Sequence, residues 1–134
     1  MSSTPAFPSA GRIGRAVLSA ATTDKTGATT TNIADILTGV AAGTRIRRVV
    51  IQADGNPADS TVMIFVHNGT DYRLWEDIDI DDPAASSTTV AGYRIERVYE
   101  DLVLPSTSWK IAAAITVAPT SGNVNVWALG ADLT

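Results

Sequence analysis

The chain has 134 residues, of which 45% are hydrophobic and 18% are charged, and it contains no cysteine. This length fits one domain with a real core, and the missing cysteines exclude a disulfide framework and a thiolate metal site. The formal net charge of −4 and the pI of about 4.7 argue against binding to nucleic acid, which requires a basic surface. The low charged fraction predicts a surface that largely contacts other protein.

Charge is distributed unevenly along the chain. Through Ala53 there are six basic and two acidic residues, whereas from Asp54 onward there are four basic and twelve acidic residues. Such asymmetry allows oppositely charged surfaces of neighbouring copies to attract one another.

The first fifteen residues are rich in Ser, Thr, Pro, Ala and Gly, with Phe7 and Ile13 as the larger apolar residues. Such a segment cannot pack a core of its own, so we predict an extended N-terminal arm over residues 1–15 and one domain over residues 16–134. We expect the arm to be ordered by contact with a neighbouring subunit. The arm lacks an apolar stretch of signal-sequence length, and the chain has no run of eighteen apolar residues. We therefore expect synthesis in a host cytoplasm, without export or a membrane contact.

Two short elements are predicted early in the domain. Residues 16–22 favour a first strand, which a Thr-rich turn segment follows. The apolar cluster within residues 33–40 fits a helical turn as well as a strand, because it is too short for its period to decide.

The next element, Thr44–Ala53, is rich in β-branched residues and predicts a strand. Simple alternation places Ile46 and Val49 on opposite faces of this strand. The neighbouring Arg47 and Arg48 are expected at a sheet edge.

A hairpin is predicted over residues 61–80, where two extended runs flank Asn68-Gly69. This dipeptide is the strongest short-range signal for a tight hairpin because both residues tolerate positive φ. The first run is apolar on both faces, which predicts a deeply placed strand. In the second run, alternation places Leu74, Ile78 and Ile80 on the covered side, and Arg73, Trp75, Asp77 and Asp79 on the polar side.

The remainder of the chain continues the β pattern. A polar loop over residues 81–93 is expected to cross between sheets, and residues 94–104 fit a helix or a strand, with the surrounding pattern favouring extended structure. Residues 109–117 and 124–129 alternate as two further strands. Seven or eight strands without a long helix predict an all-β antiparallel β-sandwich, either a jelly roll or an immunoglobulin-like relative; we favour a jelly-roll-like sandwich.

No residue pattern marks a catalytic or cofactor site. His67 is the single histidine and lies beside the hairpin turn, without a nucleophile at a recognisable spacing. A surface or packing role is therefore expected for it, and no enzyme is predicted.

An acidic run follows the hairpin turn and consists of Glu76, Asp77, Asp79, Asp81 and Asp82. Alternate strand residues stand roughly 7 Å apart, which is too far for neighbouring carboxylates to share one cation without help from a loop. A solvated acidic face, or a face that docks arginines, is favoured over a metal site.

Trp75 and Trp127 point away from the strand faces that we assign to the core. Tryptophan is enriched at subunit contacts, and its ring also stacks on sugars. Burial at an interface, carbohydrate binding and ordinary core packing all stay open for these two residues.

Four stretches of the chain resemble small structural proteins of tailed bacteriophages. They are TTDKTGATTTNIADILTG, TRIRRVVIQADG, TVMIFVHNGTDYRLWEDIDI and DLVLPSTSWKIAAAIT, and the resemblance covers the chain from Thr22 to the C-terminus. It implies a β-sandwich capsid decoration, or cement, protein that lies on the outer surface of the assembled head and often forms trimers. It implies no catalytic or ligand motif.

The leading hypothesis is therefore a virion protein that binds a major capsid protein and further copies of itself, as a homotrimer, and bridges neighbouring capsomers. No cofactor is expected. The alternative is a receptor- or glycan-binding module of a phage tail or head fibre. The residues expected to contact partners are Phe7, Arg12 and Arg15 in the arm, Arg45, Arg47 and Arg48 in the arginine-rich strand, and Trp75 and Trp127.

Overall fold

The computed structural model describes residues 8–81 and 83–133, and its regular elements are all β-strands. They are β1 (Pro8–Leu18), β2 (Ala34–Thr38), β3 (Thr44–Ala53), β4 (Ser60–His67), β5 (Tyr72–Ile80), β6 (Arg94–Leu104), β7 (Lys110–Ile115) and β8 (Val124–Leu133). The all-β prediction is confirmed. Within these ranges no helix has the length and apolar character needed to cross a bilayer.

The strands form two antiparallel sheets of four strands each. Sheet I has the order β1-β8-β3-β6, and sheet II has the order β2-β7-β4-β5. The antiparallel pairs are nested like those of one long hairpin whose tip is the β4–β5 turn: β1·β8, β2·β7, β3·β6 and β4·β5. This hairpin is rolled up so that its pairs are divided between the two sheets. This arrangement is a jelly roll, as predicted, and the loop over residues 81–93 does cross from sheet II to sheet I.

The core lies between the two sheets. The inward residues of both layers form one apolar cluster, which includes the fully buried Ile46, Ile64, Ile78, Leu104, Ile111 and Val126. Each such side chain contributes about 1.5–3 kcal/mol to folding through its removal from water. β4 lies between β7 and β5, and its residues Val62 to Phe65 are fully buried on both faces, as the apolar run predicts.

Several predicted elements are confirmed at their expected positions. β3 and β6 have the predicted bounds, and β6 is extended, as favoured. The cluster within residues 33–40, for which a helical turn and a strand both stayed open, contains the strand β2. The hairpin turn has Gly69 at φ 95°, and the Asn68 side-chain oxygen accepts hydrogen bonds from the backbone N–H groups of Thr70 and Asp71.

β1 begins at Pro8 instead of residue 16 and ends at Leu18. Residues 8–15, which we expected in the arm, pair with β8; Arg15, for example, lies opposite Trp127. The pairing partner is more than a hundred residues away in sequence, so nothing local to this segment indicates it. Phe7 lies outside the described residues, and a partner-binding arm over residues 1–7 stays a prediction.

A register shift in β3 corrects two predictions. The shift falls between Ile46 and Arg48, so that Ile46 and Val49 both face the core and are fully buried. Arg47 and Arg48 lie between them on the exposed side, because an extra residue in a strand reverses its alternation. β3 is flanked by β8 and β6, so this pair does not lie at a sheet edge, as we had expected.

A second shift occurs in the hairpin, at Trp75. Leu74 pairs with Phe65 and Glu76 pairs with Ile64, which leaves Trp75 as the extra residue. Leu74 therefore lies on the outer side of sheet II, 36% exposed, whereas Ile78 is buried in the core. The prediction that Leu74 shares the covered side of Ile78 was wrong for this reason.

Candidate functional site

The outer surface of sheet I exposes large apolar side chains. Ile13 is 62% exposed and Val98 is 67% exposed, and Val17 and Val103 are also exposed. Single exposed aliphatic residues are common on soluble proteins, whereas several on one sheet surface make that surface a candidate binding site.

Trp127 lies near the centre of this surface, in β8. The guanidinium carbon of Arg15, on the neighbouring β1, lies 5.3 Å from the centroid of the indole, which is a cation–π arrangement. Beside them lies a shallow depression of about 250 Å³, lined by Ile13, Val50, Arg94, Trp127 and Leu129. An aromatic ring, aliphatic side chains and guanidinium groups thus meet at one place.

Arginines surround this apolar centre. Arg45 follows the buried Thr44 on β3 and donates a hydrogen bond of 2.8 Å to the backbone oxygen of Glu100. Arg48 forms an ion pair of 3.2 Å with the carboxylate of Glu96 on the neighbouring strand β6. We call the outer surface of sheet I the basic face; its arginines are Arg15, Arg45, Arg47, Arg48 and Arg94.

Some of the predicted contact residues lie on the basic face and others do not. Five of them, Arg15, Arg45, Arg47, Arg48 and Trp127, lie together on the basic face. Arg12 instead points towards the edge of the core, where it forms an ion pair of 2.8 Å with Asp132 and donates to the Thr38 oxygen at 3.0 Å. It ties sheet I to the end of β2.

Trp75 lies on β5, the edge strand of sheet II, at the side of the sandwich where β5 approaches β6. Its indole is 50% exposed and meets Tyr99 of β6 edge to face, with ring centroids 6.2 Å apart. It is therefore on the other sheet from Arg15, Arg48 and Trp127.

The outer surface of sheet II also has an apolar centre, but there the chain covers it. Met63, Phe65, Ala112 and Ala114 face outward from the core and are nevertheless fully buried, with Ile33 and Tyr72 packed against them. The segment over residues 19–33, which we call the covering loop, runs across this surface.

Three contacts fix the covering loop to sheet II. The Thr22 N–H donates to the Ile115 oxygen at 2.9 Å, and the Lys25 ammonium lies 3.0 Å from the Asp77 carboxylate on β5. Gly27, at φ 80°, is buried against the Tyr72 backbone, where a Cβ would collide with the carbonyl oxygen. Because β7 and β5 lie on opposite sides of β4, these contacts carry the loop across the sheet.

Asp24 organises the covering loop internally. Its carboxylate accepts hydrogen bonds from the Thr26 hydroxyl and from the backbone N–H groups of Thr26 and Thr29. These bonds, the Thr26 hydroxyl first, hold the pKa of Asp24 far below its usual range, because they stabilise the charged form.

Carboxylates dominate the exposed part of sheet II, which we call the acidic face. Asp77 pairs with Lys25, and Asp79 accepts a hydrogen bond from the Thr61 hydroxyl at 3.1 Å. Asp35 pairs with Lys110 at 2.8 Å, which raises the pKa of the lysine. Within residues 8–81 and 83–133 no group of three or more His, Asp or Glu residues is arranged to hold a metal ion.

The remaining polar clusters serve the fold. The Nδ1 of His67 accepts a hydrogen bond from the Gly69 N–H at 3.0 Å, and its ring lies 4.5 Å from that of Tyr72. Glu76 accepts hydrogen bonds from the Tyr99 hydroxyl and the Arg97 guanidinium, and so joins β5 to β6. Burial, followed by the bond to Glu76, raises the pKa of Tyr99 well above its usual range.

Several residues of the basic face were not predicted from the sequence. They include Ile13, Arg94, Val98 and Leu129, and each is brought there by sheet pairing. A local signal existed for Ile13 alone, because Ile13, Arg15 and Val17 alternate with Gly14, Ala16 and Leu18. That alternation is typical of a strand with one covered face.

Compared with known proteins, the chain matches no family model and no curated protein. Its function must therefore be argued from the residues and geometry above.

Proposed function

We propose that this chain is a structural protein of a virion, a capsid decoration protein that assembles with other protein subunits through its basic face. The observation that supports the proposal is the composition of that face: an indole capped by an arginine, surrounded by exposed aliphatic residues and further arginines. Trp and Arg are the residues that dominate binding energy in protein interfaces. The resemblance of the sequence to phage structural proteins supplies the biological setting.

A decoration protein stabilises a capsid by mass action. It binds the assembled lattice and not the dissociated subunits, so its binding free energy is added to the stability of the lattice. The expected partners are the major capsid protein and further copies of this chain. A contact with either kind of subunit requires exposed surface, and the basic face offers one such surface.

Imaging of phage particles assembled with and without this protein tests the proposal. Purified protein added to undecorated particles should occupy regular positions on the outer surface. Trp127→Ala should reduce affinity by about 2 kcal/mol, or about thirtyfold, because a central interface tryptophan is lost. Trp75→Ala is the matched control, since it removes the same side chain from the edge of sheet II and should leave occupancy unchanged.

Residues 1–7 require a separate test. Deletion of residues 1–15 would remove much of β1, so the informative truncation removes residues 1–7 only. Loss of decoration by this truncated protein would support the predicted role of Phe7. Full occupancy by it would refute that role, and full occupancy by the Trp127→Ala protein would refute the proposed docking face.

A glycan-binding role is the second candidate, and the half-exposed indole of Trp75 favours it, since an exposed aromatic face can stack on a sugar. Glycan-array binding that is lost on Trp75→Ala and kept on Trp127→Ala would support this alternative. Silence on such arrays, with particle occupancy as described above, would exclude it.

A further inference from the structure

The two outer faces of the sandwich carry charges of opposite sign. The basic face carries five arginines against three acidic residues of β6, Glu96, Glu100 and Asp101, and Glu96 lies 3.2 Å from Arg48 and 3.8 Å from Arg94. On the acidic face, Asp35, Asp77 and Asp79 outnumber Lys25 and Lys110, and Asp71 and Arg73 form an ion pair beside it at the hairpin turn. The charge asymmetry of the sequence has therefore become a separation of charge across the thickness of the domain.

Exposed apolar residues accompany the charges on both faces. Val98 and Ile13 project from the basic face, and Leu74 projects from the acidic face beside Arg73 and Asp71. Both faces thus offer the mixture of apolar contact and charge that protein interfaces use.

Resting on the proposed role of the basic face as a docking surface, we propose that its occupant is the acidic face of a second copy, so that copies associate head to tail. Charge decides this choice of occupant. Two basic faces brought together would oppose their arginines, which is unfavourable, whereas a basic face on an acidic face brings opposite charges into contact.

The dimensions of the sheets fit such a contact. Sheet I, whose four strands have 10 or 11 residues each, measures roughly 19 Å by 34 Å. The strands of sheet II are shorter, with 5 to 9 residues, and the covering loop adds surface to that face. The area of sheet I is of the same order as the roughly 800 Å² that each partner buries in a stable interface. Because the two surfaces differ, the contact is heterologous and can repeat from copy to copy. It gives a closed ring if the rotation between copies returns to the start, and an open filament if it does not.

Two variants, each with one face disabled, test the proposal. Arg15→Glu with Arg47→Glu reverses charge on the basic face, and Asp35→Lys with Asp79→Lys reverses charge on the acidic face. The wild-type protein should form oligomers that dissociate as salt is raised, because exposed charges are screened. Each variant alone should be monomeric by light scattering coupled to size exclusion.

The mixture of the two variants is the decisive measurement. Each variant keeps one intact face, and the two charge-reversed faces are again opposite in sign, so a head-to-tail contact predicts that oligomers absent from either variant alone return in the mixture. Arg73→Glu is the control, because it makes the same change in net charge as one basic-face substitution but lies on β5, away from the basic face. It should leave association unchanged or strengthen it. Circular dichroism and urea unfolding confirm that all variants are folded.

Several outcomes would overturn the proposal. They are a monomeric wild type at high concentration, a basic-face variant that still self-associates, and a mixture that stays monomeric. The proposed function has its own readout: if the wild type self-associates but never decorates particles, the decoration role fails and the head-to-tail contact stands. If it decorates particles as a monomer, the head-to-tail contact fails and the decoration role stands.

Discussion

The outer surfaces of the two sheets have similar apolar residues but differ in whether the chain covers them. Both carry apolar residues at outward positions, Phe65 and Met63 on sheet II, and Ile13 and Val98 on sheet I. On sheet II the covering loop buries them fully, whereas on sheet I they stay exposed among arginines. An apolar outer face that the chain covers becomes a second small core, whereas one that it leaves open is a candidate binding surface.

The largest effect is expected when the covered face loses its main side chain. Phe65 is fully buried, so Phe65→Ala should lower the free energy of unfolding by about 4 kcal/mol, through lost burial and a cavity. Urea unfolding followed by fluorescence measures this. A loss below about 1 kcal/mol would mean that the covering loop does not exclude water from sheet II, and the contrast between the faces would disappear.

A smaller effect is expected from lifting the covering loop. Gly27→Ala places a Cβ against the Tyr72 carbonyl oxygen at a positive φ, which should cost about 2 kcal/mol. The loop should detach and expose Met63 and Phe65, so that binding of a hydrophobic dye increases at native conditions. Ala28→Ser, in the same loop on an exposed residue, is the control. Unchanged dye binding by the Gly27 variant would contradict the assigned position of the loop.

The stability that the covering loop contributes should also depend on pH, because Asp24 titrates. Its pKa is depressed in the folded protein, so its contribution is present above the unfolded pKa of about 4 and declines as the pH falls towards the folded value. Asp24→Ala should therefore be less stable than wild type at neutral pH, and the difference should shrink below about pH 4. Urea unfolding at several pH values measures it. A difference that is constant with pH would mean that the charge of Asp24 has no part in the stabilisation.

The smallest effect on folding is expected on the basic face. Val98 is 67% exposed, so Val98→Ser should change the free energy of unfolding by no more than about 0.5 kcal/mol. The same substitution should weaken association with a partner, which analytical ultracentrifugation would detect. A large loss of stability would show that Val98 belongs to the fold, and the basic face would then lose one of its contact residues.

Much of the strand pattern followed from local sequence. The bounds of β3 and β6 and the Asn68–Gly69 hairpin were predicted, because alternation and turn chemistry depend on neighbouring residues alone. The start of β1 was not, since Pro8 to Arg15 pair with a strand at the other end of the chain. The faces of Ile46 and Leu74 were also mispredicted, because register shifts in the sheets reverse the alternation on which those predictions depended.

The candidate site divides in the same way. Composition and charge order along the chain indicated arginine-rich and acid-rich surfaces and two outward tryptophans. Only the sheet order placed Arg15, Arg48 and Trp127 on one face and moved Arg12 and Trp75 away from it. Residue types and their spacing thus determine which segments extend and turn, since those preferences are local. The tertiary structure decides which apolar face stays uncovered, because the covering of a face depends on contacts between segments that are distant in the chain.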